Sequence, residues 1–172
     1  ALTQSAPNLD FLLCYRANRY LRGLRAPLPA MNCSRALLED FTAFFYRFGV
    51  TLFHGLNQRL PRTRFRRSMT TFHDLFVMSG DYSTSEFRSR FTTLAKDAAL
   101  RSDHIITISQ YTADQLVQRL NYPREQITVI HHGVNPIPSF PEMDLILFRK
   151  HQQLEVPFVL HVGAIQTRKN IR

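Results

Sequence analysis

Four histidines stand where an alternating strand and helix pattern would concentrate its chemistry. His54 closes the run Val50-Thr51-Leu52-Phe53-His54-Gly55, His73 closes Ser68-Met69-Thr70-Thr71-Phe72-His73-Asp74, and His131 and His132 end the run that starts at Ile127. Each run is β-branched or aromatic before it turns polar. Each is therefore read as a buried strand that carries an imidazole to its carboxyl end, the edge where an α/β sheet holds its ligands. A neutral imidazole can donate to or accept from a bound ligand. Metal binding is the rival use of these histidines. However, no carboxylate or cysteine accompanies them at ligand spacing. Asp74 is read as a cap for the following loop or as an orienter of His73.

The elements that must position these residues follow from the rest of the pattern. Leu9 to Tyr15 reads as a strand, and the basic segment Arg16 to Arg25, with Gly23 and Pro27, as an exposed loop. Ser34 is the expected cap of a helix from about 35 to 48. Leu37, Leu38, Phe41, Phe44, Phe45 and Phe48 recur there at spacings of three and four, which marks them as core. Ser85 is expected to cap a helix running to about Arg101, whose apolar face carries Phe87, Phe91, Leu94, Ala95, Ala98 and Ala99. A strand from His104 to Ser109 leads into a helix from about Tyr111 to Leu120, with Ser109 or Thr112 as its starting signal. After the strand 127–131, Pro136, Pro138 and Pro141 mark a boundary. Beyond it come a helix from about Glu142 to His151 and a buried strand, Phe158-Val159-Leu160-His161-Val162-Gly163. Crossovers of this length predict an α/β fold, Rossmann-like and three-layered, with a mostly parallel sheet.

With 172 residues and 44% hydrophobic content, the chain can form one sizeable core. No run approaches the roughly 18 apolar residues of a membrane span, and nothing at the start resembles a signal peptide, so a cytoplasmic protein is expected. Cys14 and Cys33 have no metal or redox spacing, and Cys14 is expected to be buried as a small hydrophobe. The formal net charge is +9, and arginine is densest at Arg59, Arg62, Arg64, Arg66 and Arg67. Such a run suits the phosphates of a nucleotide sugar, an anionic membrane or a nucleic acid, or is simply a solvated face. The aromatic residues do not alternate with the arginines as a single-strand platform would, so no nucleic acid is expected.

Four stretches, in this order and with these gaps, resemble the retaining nucleotide-sugar glycosyltransferases of the GT-B fold, in their mannosyltransferase-type branch. They are Thr71-Phe72-His73-Asp74-Leu75, Asp103 to Thr112, Gln126 to Val134, and Val162-Gly163 to Arg168-Lys169-Asn170. The resemblance covers roughly residues 50 to 172. It implies an N-terminal Rossmann-like acceptor-side domain at 1–135, a linker and helix at 136–157, and the first strand and phosphate loop of a donor-binding domain at 158–172. Family members usually begin with a further strand, a glycine-rich loop and a helix, and carry a distal glutamate pair. The chain is accordingly expected to be a fragment of a longer enzyme, inactive by itself. It also departs from many relatives in having His132-Gly133 for Asn-Gly, and Ala164 where some have arginine.

The resemblance further implies a nucleotide diphosphate sugar as donor and a saccharide or lipid-linked acceptor, with no metal or other cofactor. His73 would touch the donor sugar and place its main-chain carbonyl near the anomeric carbon. Gly163, Arg168 and Lys169 would hold the donor phosphates, with Lys169 against the charge on the leaving diphosphate. His54, Gly55 and Asn57 are acceptor-side candidates. The arginine run would offer a basic approach, including peripheral contact with the inner face of an anionic membrane. The alternative is a noncatalytic phosphate-binding or nucleic-acid-binding module on the same fold.

Overall fold

The computed structural model describes residues 2–78, 80, 83–166 and 169. After a helical turn α1 (Leu2–Ser5), the chain forms β1 (Phe11–Tyr15), α2 (Ala17–Arg25), β2 (Cys33–Leu37) and α3 (Asp40–Tyr46). There follow β3 (Phe53–Gly55), β4 (Ser68–Phe72), α4 (Ser85–Arg101), β5 (His104–Thr107), α5 (Gln110–Leu120), β6 (Ile127–Val129) and α6 (Glu142–His151). Every strand pair is parallel. The α/β architecture is present as two sheets: β1 pairs with β2, and β3, β4, β5 and β6 lie side by side in that order.

In the larger sheet chain order equals sheet order, so right-handed crossovers place α4 and α5 on the same face. Ala95, Ala98 and Ala99 let α4 approach closely, Ala113 does the same for α5, and Leu116 of α5 is buried in the same core. Between helices and sheet, Phe72, Ile105 and Leu116 are fully buried. A smaller core of Leu38, Ala43 and Phe65 joins α3 to the start of β3. There the Phe53 and Phe65 rings stack at 4.7 Å.

The amino end of the sheet is closed by a polar knot. The Asp103 N–H donates to the Ser68 carbonyl (2.8 Å), and the Ser68 N–H donates to Asp103 Oδ2 (2.7 Å). Ser102 Oγ donates to the Ala98 carbonyl (2.7 Å), so the hydroxyl of Thr70, 2.7 Å away, donates to Ser102 Oγ. Tyr122 OH donates to the Ser102 carbonyl (3.0 Å). Buried polar atoms are thus paired with one another, and a one-residue slip of β4 against β5 would orphan several of them.

Five local expectations are corrected. Residues 17–25 are helical, not a loop, because Gly23 is a packing surface: a Cβ there would lie 2.7 Å from the Tyr15 ring. The helix expected from 35 is split. Its first part is β2, paired with β1, and α3 begins only after Glu39, which forms a capping box with Thr42 and also accepts from the Ala17 N–H (2.8 Å). The later start rotates the helix, so Leu38, Ala43 and Tyr46 face inward, while Phe41, Phe44, Phe45 and Phe48 are exposed. Cys14 is exposed and Cys33 buried, because strand alternation turns Cys14 away from the α2 face that Tyr15 occupies. Finally, 158–163 is neither strand nor buried: among the described residues no strand pairs with it, and Val159 is 99% exposed. Thr84, not Ser85, caps α4.

Burial, and after it the negative charge of Asp103, pushes the Tyr122 phenol up to about 12. The unfolded chain, with an ordinary phenol near 10, releases its proton first, so this stability holds below about pH 10 and is lost as pH rises through 12. Tyr122→Phe is expected to cost about 1 kcal/mol at neutral pH and to remove this part of the alkaline loss. Urea unfolding of both proteins from neutral to alkaline pH measures this. Equal stability at neutral pH and identical alkaline profiles would contradict it.

Candidate active site

Parallel pairing brings the carboxyl ends of β3, β4, β5 and β6 to one rim, and His73 is the first residue past β4. Phe72, the last residue of β4, pairs with Thr107 of β5 and is wholly buried, which fixes where His73 emerges. The ring of His73 lies 3.0 Å through Nε2 from the Leu56 carbonyl. A carbonyl only accepts, so Nε2 carries the proton and Nδ1 is the nitrogen left for a ligand. The His73 carbonyl accepts from Thr112 Oγ1 (3.2 Å). Thr112 Oγ1 in turn accepts from Ser109 Oγ (3.0 Å), whose oxygen caps α5 by accepting from the Thr112 N–H (3.2 Å). One chain of hydroxyls therefore ties the start of α5 to the main chain at His73. Asp74 is a loop cap, its Oδ1 taking the Phe76 N–H at 3.4 Å.

The acceptor-side candidates join the same rim from β3. His54 pairs in register with Met69 and Gly55 with Thr70, and the His54 ring reaches across to Thr71 Oγ1 at 2.9 Å. Burial pushes the His54 imidazole below its usual value, so the ring is neutral at neutral pH. The chain then folds back on itself: the Arg59 N–H donates to the Asn57 carbonyl (2.6 Å), and a Cβ on Gly55 would lie 2.5 Å from the Arg59 carbonyl. Only glycine fits there. Asn57 is exposed, its Oδ1 held by the Gln58 N–H (2.8 Å).

The arginine run is a loop pinned at its middle. Phe65 is buried in the smaller core, and the guanidinium of Arg101 at the end of α4 donates to the Leu60 and Pro61 carbonyls. Arg59, Arg62, Arg64, Arg66 and Arg67 are left facing solvent. The Arg62 contact with Asp40, at 3.8 Å on an exposed surface, contributes little.

The donor-side candidates are only partly gathered. Gly163 has φ +142°, a backbone conformation side chains rarely adopt, and Lys169 Nζ lies 3.1 Å from where a Cβ on it would stand. Lys169 is thus folded over Gly163, whereas Arg168 lies outside the described residues. Among the described residues, no hydrogen bond or ring contact joins this loop to His73. Nor do three or more of His, Cys, Asp and Glu gather there where they could hold a metal.

Three contacts at the rim are not readable from the sequence. The Leu56 carbonyl leaves no trace in a side-chain pattern. Thr112 reads equally as a helix cap or a ligand, and its bond to the His73 carbonyl depends on the strand-to-helix register. His132 is visible as a strand-end histidine, but the placement of its ring nearly parallel to that of His73, with centroids 5.6 Å apart and planes 22° apart, is not.

A family model described as Glycosyltransferase Family 4 matches residues 11–137. An Escherichia coli protein named O-antigen chain mannosyltransferase B is 30% identical over 138 residues, covering 78% of this chain. The chain spans about a third (34%) of the length of that relative.

Proposed function

The chain belongs to glycosyltransferase family 4, and from that premise we propose that it supplies the acceptor side, and the beginning of the donor side, of a retaining hexosyltransferase. The observation that carries this reading is the convergence at one rim of His73, the 55–57 loop and the start of α5. A sugar placed there would meet an imidazole acceptor, Nδ1 of His73, and a carbonyl whose direction is fixed by Thr112 and whose second lone pair is free. The donor is a nucleotide diphosphate sugar, with mannose the analogy offered by the E. coli relative's name. Residues 136–157 act as the linker, and 158–172 begin the donor-binding domain.

In the proposed step the bond from the anomeric carbon to the diphosphate oxygen breaks, and the acceptor oxygen bonds to the same face of that carbon. The acceptor proton passes to the departing diphosphate, so no metal or protein base is required. Positive charge on the sugar ring is steadied by the His73 carbonyl, and negative charge on the diphosphate by Lys169 and Arg168. Both charges peak in the transition state, which is why these contacts would raise turnover rather than merely tighten binding.

The same reading gives the exposed aromatic face of α3 a partner. Phe41, Phe44, Phe45 and Phe48 face outward, and Arg47 lies 4.5 Å from the ring centres of both Phe44 and Phe48. The arginine loop is joined to the start of α3 through Asp40. Aromatic rings edged by arginines suit an anionic membrane surface that carries a lipid-linked acceptor. Among the described residues no helix is long and apolar enough to cross a membrane.

Transfer by the whole gene product is expected to fall roughly a hundredfold or more in turnover for His73→Ala and for Lys169→Ala, measured as donor consumption with folding checked by circular dichroism. Normal turnover in both variants would refute the site. Sedimentation with vesicles tests the surface. Phosphatidylglycerol vesicles should capture the chain and phosphatidylcholine vesicles should not, and Phe45→Asp with Phe48→Asp should abolish capture. Equal capture by both lipids, or none by either, would contradict it.

A further inference from the structure

His132 makes no hydrogen bond among the described residues, yet its position is closely determined. Past the end of β6, the Ile130 N–H donates to the Thr107 carbonyl (2.8 Å), carrying the chain alongside the end of β5. His131 Nδ1 then lies 3.1 Å from the Ile108 carbonyl, and because a carbonyl only accepts, that nitrogen carries the proton. With His131 committed to the backbone, the next side chain is set against the rim. There the His132 ring lies nearly parallel to that of His73, centroids 5.6 Å apart and planes 22° apart.

We propose that His132 is a positioning residue for His73. Its ring lies beside the His73 imidazole, nearly parallel and offset, and favours the orientation in which Nε2–H donates to the Leu56 carbonyl, which keeps Nδ1 bare as an acceptor for a sugar hydroxyl. The torsion that turns an imidazole about its Cβ–Cγ bond is broad and roughly two-fold. A single hydrogen bond at a partly exposed rim competes with water, so it restrains that torsion weakly. A ring beside it adds a second restraint, since near-parallel, offset rings at this separation attract one another and an imidazole turned away loses part of that contact.

A planar ring is therefore what the position requires, and its charge is incidental. Imidazole also suits a polar rim, offering a face for stacking and edges that water can solvate. The orientation of His73 rests on geometry alone, whereas its consequence for sugar binding rests on the glycosyltransferase reading above. The two parts fail separately.

The experiment compares the chain with His132→Ala and His132→Phe by long-range proton–nitrogen correlation of the His73 ring at about pH 8.5, well above the usual imidazole range. In the unaltered chain the His73 ring nitrogens should resonate far apart, with Nε2 protonated. In His132→Ala the gap should narrow toward that of free imidazole, and in His132→Phe it should recover. Amide shifts of β4 and β5 confirm folding. An unchanged gap in His132→Ala, or an equal narrowing in both variants, overturns the proposal. In the whole gene product, His132→Ala should lower kcat severalfold at unchanged donor KM, and His132→Phe should restore it. If transfer ignores His73→Ala, the sugar-binding consequence falls while the nitrogen shifts still decide the ring's orientation.

Discussion

Parallel pairing of four consecutive strands is the constraint on which the rest of this structure depends. In a parallel sheet every strand points the same way, so each carboxyl end, and whatever residue follows it, arrives at a common edge. The chain uses that edge four times. His54 lies on β3 just before its end at Gly55, His73 follows β4, Ser109 caps the helix after β5, and His131 and His132 follow β6. No loop needs to search for its neighbours, because strand register delivers them. The bonds from His54 to Thr71, His73 to Leu56, Thr112 to His73 and His131 to Ile108 all join residues from different strand ends.

Register at the functional edge is secured at the opposite one. Ser68, Thr70, Ser102, Asp103 and Tyr122 are paired among themselves and with α4 where β4 and β5 begin. A displaced β4 would strand buried hydroxyls and shift His73 by a residue. Buried polar pairs of this kind add modestly to stability but discriminate strongly among alternative registers. Thus the polar knot is remote from the rim yet determines which side chain arrives there.

Much of this was legible in the amino-acid order, for identifiable reasons. The strands at 68–72 and 104–107 carry β-branched residues on both faces, as interior parallel strands must, and α4 and α5 show apolar spacings of three and four. What misled was local. Gly23 looks like a helix breaker until the Tyr15 ring is seen against it, and the phenylalanines at 41, 44, 45 and 48 look like a core stripe until β2 claims 33–37. The run at 158–163 is as apolar as any core strand, but apolarity cannot supply a partner strand. Site residues divide along the same line. His73 and His54 are visible because strand ends are visible, whereas the Leu56 carbonyl and the stacked His132 depend on how two loops return.

The central claim is that this shared edge, with His73 at its middle, is where the sugar is held. A crystal structure of the whole gene product with a nucleotide diphosphate sugar addresses it directly. The account predicts a sugar hydroxyl at hydrogen-bonding distance, about 3 Å, from Nδ1 of His73, with the Leu56 and His132 contacts kept. A donor sugar bound elsewhere, with only solvent beside that nitrogen, would contradict it.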